Sequence, residues 1–148
     1  MLRELQTKVG KVYDATYKAA VNMVVGMGVV KDRVARTVKF PETATDTDVF
    51  FVTKEKIAEG IYAGLGELPD YEDIFMNIKS AEFVKLVSPE KAERYATDQI
   101  DTTDLKQGDY LAVGTNGKWV KSAEPTRFVY DGVKTIDTHA LHVIEVIA

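Results

Sequence analysis

Gly108-Asp109-Tyr110-Leu111-Ala112-Val113-Gly114-Thr115-Asn116-Gly117-Lys118-Trp119-Val120-Lys121 reads as strand, tight turn, strand. Asn-Gly between two runs of strand-forming residues is the strongest short-range hairpin signal, because both central positions of a type I′ turn need positive φ. The pattern continues through Arg127-Phe128-Val129-Tyr130, an Asp131-Gly132 turn and an apolar run from Ala140 to Ile147. Upstream, Glu82-Phe83-Val84-Lys85-Leu86-Val87 alternates as a strand ended by Ser88-Pro89, and Glu93 to Thr97 reads as another.

Further back, Val49 to Thr53 is a strand, and Val34 to Phe40 is one that stops at Pro41. From Val21 the period is two: Val21, Met23, Val25, Met27 and Val29 share one face, while Gly26 and Gly28 leave room on the other for a bulge or another backbone. Lys54 to Gly60 reads as a short helix or turn. Tyr62 to Asp73, with Gly64, Gly66, Pro69 and an Asp-Tyr-Glu-Asp tetrad, reads as a long loop able to fold over something. Roughly eight to ten strand candidates with at most one or two short helices are the spacing of an all-β protein. The expected fold is mainly β, a small β-barrel or sandwich, a β-tulip among the barrels allowed, with an extended N-terminal arm and few short helices.

The arm is residues 1–20, and residues 21–148 form a single β-rich domain. Leu2, Leu5, Val9, Val12, Thr16, Ala19 and Met23 recur at helical steps, but Gly10 interrupts them and no cap precedes them. Val9, Val12, Tyr13, Thr16 and Tyr17 tolerate an extended chain at least as well, which favours a loosely ordered arm.

Charge divides along the same line. Residues 1–40 carry eight Lys or Arg against three acids, and the remainder carries eleven against twenty, so a basic leader precedes an acidic body within a net charge of −4. With 148 residues the chain can bury roughly two-thirds of its unfolded surface and needs no crosslink. It has no cysteine, which excludes disulfide scaffolds, thiolate metal sites and cysteine nucleophiles. The start lacks the pattern of a secretory signal, and no window approaches the uninterrupted apolar run that spans a bilayer, so a soluble protein with no membrane partner is expected.

No catalytic apparatus emerges. His139 and His142 lie three apart on a strand, which points them to opposite faces. Asp46-Thr47-Asp48 has the spacing of the metal-binding Asp pair of some sugar transferases but sits on a polar loop with no nucleotide-binding domain around it, and the acids Asp70, Glu72 and Asp73 and the group Asp98, Asp101 and Asp104 lack calcium-loop spacing. Ser80, Ser88 and Ser122 sit in no nucleophile elbow, and Gly60 to Gly66 is followed by no Lys-Ser or Lys-Thr. The expectation is a non-enzyme without cofactor, metal or catalytic residues. A single-strand platform of Tyr13, Tyr17 and lysines is a minor alternative, since an acidic body repels phosphates and makes a nucleic-acid partner unlikely.

One resemblance fits this order of features. The polar-basic leader, the Val/Met/Gly-rich strand ending at Val30-Lys31-Asp32, Asn77-Ile78-Lys79-Ser80-Ala81-Glu82-Phe83-Val84-Lys85-Leu86, Glu93-Arg94-Tyr95-Ala96-Thr97-Asp98-Gln99 and the Gly108–Trp119 hairpin are similar to small virion structural proteins of tailed bacteriophages. Among these the chain most resembles the head decoration (auxiliary capsid, or cement) proteins. The resemblance implies a β-rich protein made in the host cytoplasm that binds the major capsid protein on the outer surface of an icosahedral head, often as trimers, with no enzymatic activity. It departs from the small lambda-type cement proteins in its length and its wide acidic middle loop. In that role Leu2, Leu5, Val9, Val12 and Tyr13 are the apolar anchors and Arg3, Lys8 and Lys11 supply register and attraction. The competing reading of each anchor is ordinary packing within its own subunit. Other functions open to the chain are a tail-tube, neck or fibre-attachment subunit, or a small β-barrel module for carbohydrate or nucleic acid.

Overall fold

The computed structural model describes residues 1–54, 76–136 and 138–148. Its strands are β1 (Leu2–Gln6), β2 (Tyr13–Ala19), β3 (Met23–Val24), β4 (Gly28–Asp32), β5 (Thr37–Lys39), β6 (Val49–Thr53) and β7 (Asn77–Ile78). They continue with β8 (Phe83–Val87), β9 (Arg94–Thr97), β10 (Tyr110–Val113), β11 (Trp119–Lys121), β12 (Phe128–Ile136) and β13 (His139–Val146). The fold is mainly β, and among the described residues only Met76 is helical. The predicted helix or turn after Lys54 and the loop Tyr62–Asp73 fall on residues outside the described ones.

Two bodies pack together. One is a closed barrel in the order β2-β5-β4-β6-β8, antiparallel except between β2 and β5. The other is an antiparallel sheet in the order β1-β9-β13-β12-β10-β11, and β3 and β7 form a short ladder beside the barrel. β6 explains why the two bodies are one unit. Val49 and Phe51 point out of the barrel into a core shared with Tyr95, Leu111, Trp119, Phe128 and Ile144 of the sheet, while Val52 points into the barrel among Val29, Val38, Val84 and Leu86. A strand buried on both faces must be apolar at consecutive positions, as Val49-Phe50-Phe51-Val52 is.

The junction is tight because two glycines let backbones meet. Gly26 has φ 99°, and a Cβ there would lie 2.5 Å from the Met1 carbonyl oxygen. Its own carbonyl accepts the Trp119 indole N–H at 3.1 Å and the Thr97 hydroxyl at 3.3 Å. A Cβ on Gly28 would collide with Val113. The expected single strand from Val21 to Val30 is therefore two strands, β3 and β4, broken at Gly26 with Met27 N–H donating to Val24 O.

The decisive hairpin forms between β10 and β11, with a different turn. Val113 pairs with Trp119, Gly117 N–H donates to Gly114 O at 3.0 Å, and only Gly117 of the Asn-Gly pair has positive φ, 77°. This is the three-residue connection, a type I turn closed by a left-handed glycine, in place of the expected type I′ turn. A side chain at Gly117 would also strike the Phe40 ring at 2.5 Å. Gly117→Val is accordingly expected to cost about 2–4 kcal/mol, from backbone strain and overpacking together. A urea titration checks it, and an unchanged midpoint would contradict the turn described.

The Asp131-Gly132 turn is likewise corrected. Tyr130 pairs with Ile144 and Val133 with His142, so one extra residue sits in β12 and the Asp-Gly pair is a bulge, with Gly132 at φ 94°. The strand runs on to Ile136, which faces His139 across the real turn, where Thr138 has φ 71°.

The extended N-terminal arm over residues 1–20 is the largest correction. β1 is the edge strand of the sheet, with Leu2 opposite Thr97 and Arg3 opposite Ala96, and β2 closes the barrel between β5 and β8. Met1 is buried, and its amino nitrogen lies 2.9 Å from Val25 O and 2.6 Å from Asp98 Oδ1. Gly10, with φ 78°, is a turn residue between two strands and not a sign of looseness. The boundary drawn between residues 1–20 and 21–148 divides no separate unit, because both bodies contain strands from each side of it.

Candidate partner-binding surface

The eight residues expected to bind a partner are distributed by strand parity and by one buried carboxylate. Leu2 packs against both the interfacial core and the barrel core, and Leu5 against a satellite cluster of Met1, Ala96, Leu141 and Val143 behind the sheet. Both are internal packing residues, as the competing reading had it. Arg3 is half-buried in β1. Tyr13 is 36% exposed, and its hydroxyl donates to the Glu4 carboxylate at 2.8 Å.

Lys11 is not a surface cation. Its side chain is only 4% exposed, and its ammonium donates to the Glu93 carboxylate and the Tyr95 hydroxyl oxygen, while Tyr95 donates to Glu93 at 2.6 Å. Glu93, 1% exposed, also accepts the Lys8 N–H at 3.0 Å and the Glu90 N–H at 2.8 Å. Burial pushes the Glu93 carboxyl up, but four donors outweigh it and hold the group down at about 2. Burial and the adjacent Glu93 charge push the Tyr95 phenol up. Lys8 reaches Glu90 at 2.6 Å in the open, a pair of small energetic weight.

This fixed carboxylate holds residues 8 to 11 between β1 and β2 against the body, and two valines remain outside. Val9 is 105% exposed and Val12 83%. Isolated exposed valines are common on protein surfaces, but this pair sits on a connector whose backbone is tied down, so the apolar tip is ordered before anything binds it.

Below the tip, β2 runs beside β8. A bulge between Asp14 and Tyr17 lets both turn toward the barrel interior, where Lys31 donates to Asp14 at 2.5 Å and lies 4.7 Å from the Tyr17 ring centroid and 4.3 Å from that of Phe50. The Lys31 contact, with the Thr16 hydroxyl and N–H, holds the Asp14 carboxyl down at about 2 against the effect of burial. The long outward side chains of the two strands include Tyr13, Lys18, Phe83 and Lys85. Lys18 lies 5.1 Å from the Phe83 ring centroid and Lys85 4.4 Å from that of Tyr13, and Phe83 is 63% exposed. Phe83 and Lys85 were absent from the expected site, although the alternation of Glu82 to Val87 already placed them opposite the buried Val84 and Leu86. Glu93 carried no such signal, because its partner Lys11 is 82 residues away.

Several of the remaining candidates have structural partners. His142 Nδ1 and the Tyr130 hydroxyl lie 2.9 Å apart, and burial lowers the His142 pKa. Asp46 accepts the Arg127 N–H at 3.0 Å, Asp48 pairs with Arg33 at 2.9 Å, and Asp101 accepts the Thr103 N–H at 3.0 Å. Among the described residues no three His, Asp or Glu converge as a metal set. Asp70, Glu72, Asp73 and the glycines from Gly60 to Gly66 lie outside the described residues. A cleft of about 360 Å³ at the β3–β7 side of the barrel is lined by Met23, Val24, Met27, Phe40 and Ile78, with Asn22, Asn77 and Lys79 also on its wall. Compared with known proteins, the chain matches no family model, no curated protein and no solved structure.

Proposed function

We propose that this chain is a non-enzymatic structural protein that attaches to a protein lattice, the outer surface of an icosahedral phage head, and stabilises it. The observation that carries the reading is the pair Val9 and Val12, held out on a connector that the buried Glu93 ties to the body. The likeness of the sequence to head decoration proteins supplies the kind of lattice.

The mode differs from that of a disordered leader. A segment that folds on binding loses part of its interaction energy to ordering, whereas a tip already in place loses little. Burying one valine yields about 1.5–3 kcal/mol at most, so two give a weak single contact. Repetition over a lattice turns weak contacts into a durable coat when copies are linked to one another or to several shell subunits.

Val9→Asp/Val12→Asp is expected to leave the melting curve unchanged, because neither side chain is in a core. It should lower affinity for purified heads of the phage that encodes the chain about a hundredfold, the equivalent of losing about 3 kcal/mol. Cosedimentation at graded head concentrations measures this. Wild-type protein that fails to sediment with heads would refute the reading.

A further inference from the structure

We infer that the outer face of β2 and β8 is a second docking surface, which takes an acidic protein surface. Identifying that surface with the capsid's rests on the function proposed above. The two strands lie side by side with Lys18 opposite Phe83, and Lys85 stands two residues further along β8, about 7 Å away. Tyr13 continues the row toward the exposed tip at Val12. Phe83 is 63% exposed and Tyr13 36%, which makes a stripe with apolar ring surface and ammonium groups over it.

The sign of the partner follows from where the carboxylates point. The bulge turns Asp14 inward to Lys31, removing the one acid of β2 from this face. Glu82, next to Phe83, is engaged by the Lys79 N–H at 3.0 Å and by Lys54 at 3.6 Å. Glu4 is held at the far end by Tyr13. Among the described residues, Lys18 and Lys85 contact aromatic rings and no carboxylate. A cation over a ring keeps its charge available to a third group, so the stripe is complementary to carboxylates set among apolar side chains.

A protein fits better than a nucleic acid. Two lysines neutralise few phosphates, and affinity for a nucleic-acid backbone rises with the number neutralised. One face of the Phe83 ring is already occupied by Lys18, which leaves less of it for base stacking. The exposed valines beside the stripe have no role in phosphate recognition and an ordinary one in a protein interface.

The test is a two-dimensional NMR titration of the full chain with poly-L-glutamate, and in separate arms with oligo-dT of equal charge and with poly-L-lysine. Poly-L-glutamate is expected to shift the amides of residues 13 to 18 and 83 to 87 at low salt, and high salt should reverse the shifts. Lys18→Glu/Lys85→Glu should abolish them, and Lys18→Gln/Lys85→Gln should weaken them, with unchanged melting curves in both. No shift, shifts elsewhere, or tighter binding of oligo-dT at the same residues would overturn the inference. The same charge-reversed variant should bind heads about tenfold less tightly or worse. If it binds heads as wild type does, the stripe is refuted and the head-binding reading stands. If poly-L-glutamate binds the stripe and heads do not bind the chain, the reverse holds.

Discussion

Glu93→Gln is expected to lower the unfolding free energy at neutral pH by about 3–5 kcal/mol, the cost of leaving one member of a buried ion pair without its partner. Lys11, at 4% exposure, would be left with only the Tyr95 oxygen and an amide oxygen as partners. The pH dependence gives an independent check. Glu93 is held at about 2 in the folded chain, against 4.5 for an ordinary glutamate. A depressed carboxyl stabilises the fold fully above its ordinary pKa, and that contribution drains away as pH falls toward the folded value. Urea midpoints of wild type and Glu93→Gln should therefore be far apart at neutral pH, approach one another below about pH 4.5 and meet near pH 2. Asp14, also near 2, titrates in both proteins and cancels from the comparison. Adding Lys11→Met to Glu93→Gln should recover part of the loss, since it removes the buried charge left without a partner while the glutamine oxygen can still accept from the Lys8 N–H, the Glu90 N–H and the Tyr95 hydroxyl. A difference between the two curves that persists unchanged to pH 2 would show that the carboxylate is not the pin.

That pin shows what a sequence reveals and what it hides. β6 and β8 were legible because their side chains repeat with period two and stop at polar or proline residues, signals contained within a few positions. Gly26 and Gly28 were legible as sites of close approach, since a glycine inside a strand pattern has few other uses. The Asn116-Gly117 hairpin was legible, but its turn type was not, because one left-handed glycine satisfies a type I turn with a bulge as well as half of a type I′ turn. Asp131-Gly132 offers the same local chemistry to a turn and to a bulge, and only the pairing partner, β13, decides between them.

The N-terminal residues were misread for a related reason. Leu2 and Leu5 sit among Arg3, Glu4, Gln6 and Lys8, too polar a run to declare itself a strand, and what fixes β1 is the edge of β9, more than eighty residues on. Of the expected anchors, Val9 and Val12 stand fully in solvent and flank Gly10 and Lys11, but nothing in the sequence set them apart from Leu2 and Leu5, because the turn at Gly10 shows only in the fold. The Lys11–Glu93–Tyr95 group that fixes them could not be read at all, since nothing local in either segment refers to the other.

Trp119→Ala is the other change with a large expected effect, because the indole joins the two bodies of the fold. Its ring stacks on Phe51 of the barrel at 4.7 Å between centroids and meets Phe128 of the sheet edge-on at 4.8 Å. Its N–H reaches the Gly26 carbonyl at the break between β3 and β4. Truncating a fully buried tryptophan costs about 3–5 kcal/mol in lost transfer energy and cavity. The carbonyl keeps a partner in the Thr97 hydroxyl, so most of that cost is packing and little is an orphaned acceptor. Trp119→Phe separates the two contributions: it keeps a ring in the stack, loses the hydrogen bond and some volume, and should cost roughly a third as much. Far-UV circular dichroism against urea is the measurement, because the only indole is the residue removed. The shape of the transition carries a further expectation. With β6 buried on both faces, barrel and sheet share too much core to unfold apart, and Trp119→Ala should move a single transition to lower urea with its slope unchanged. A loss below about 1 kcal/mol, or a curve that splits in two, would mean that barrel and sheet do not share this core.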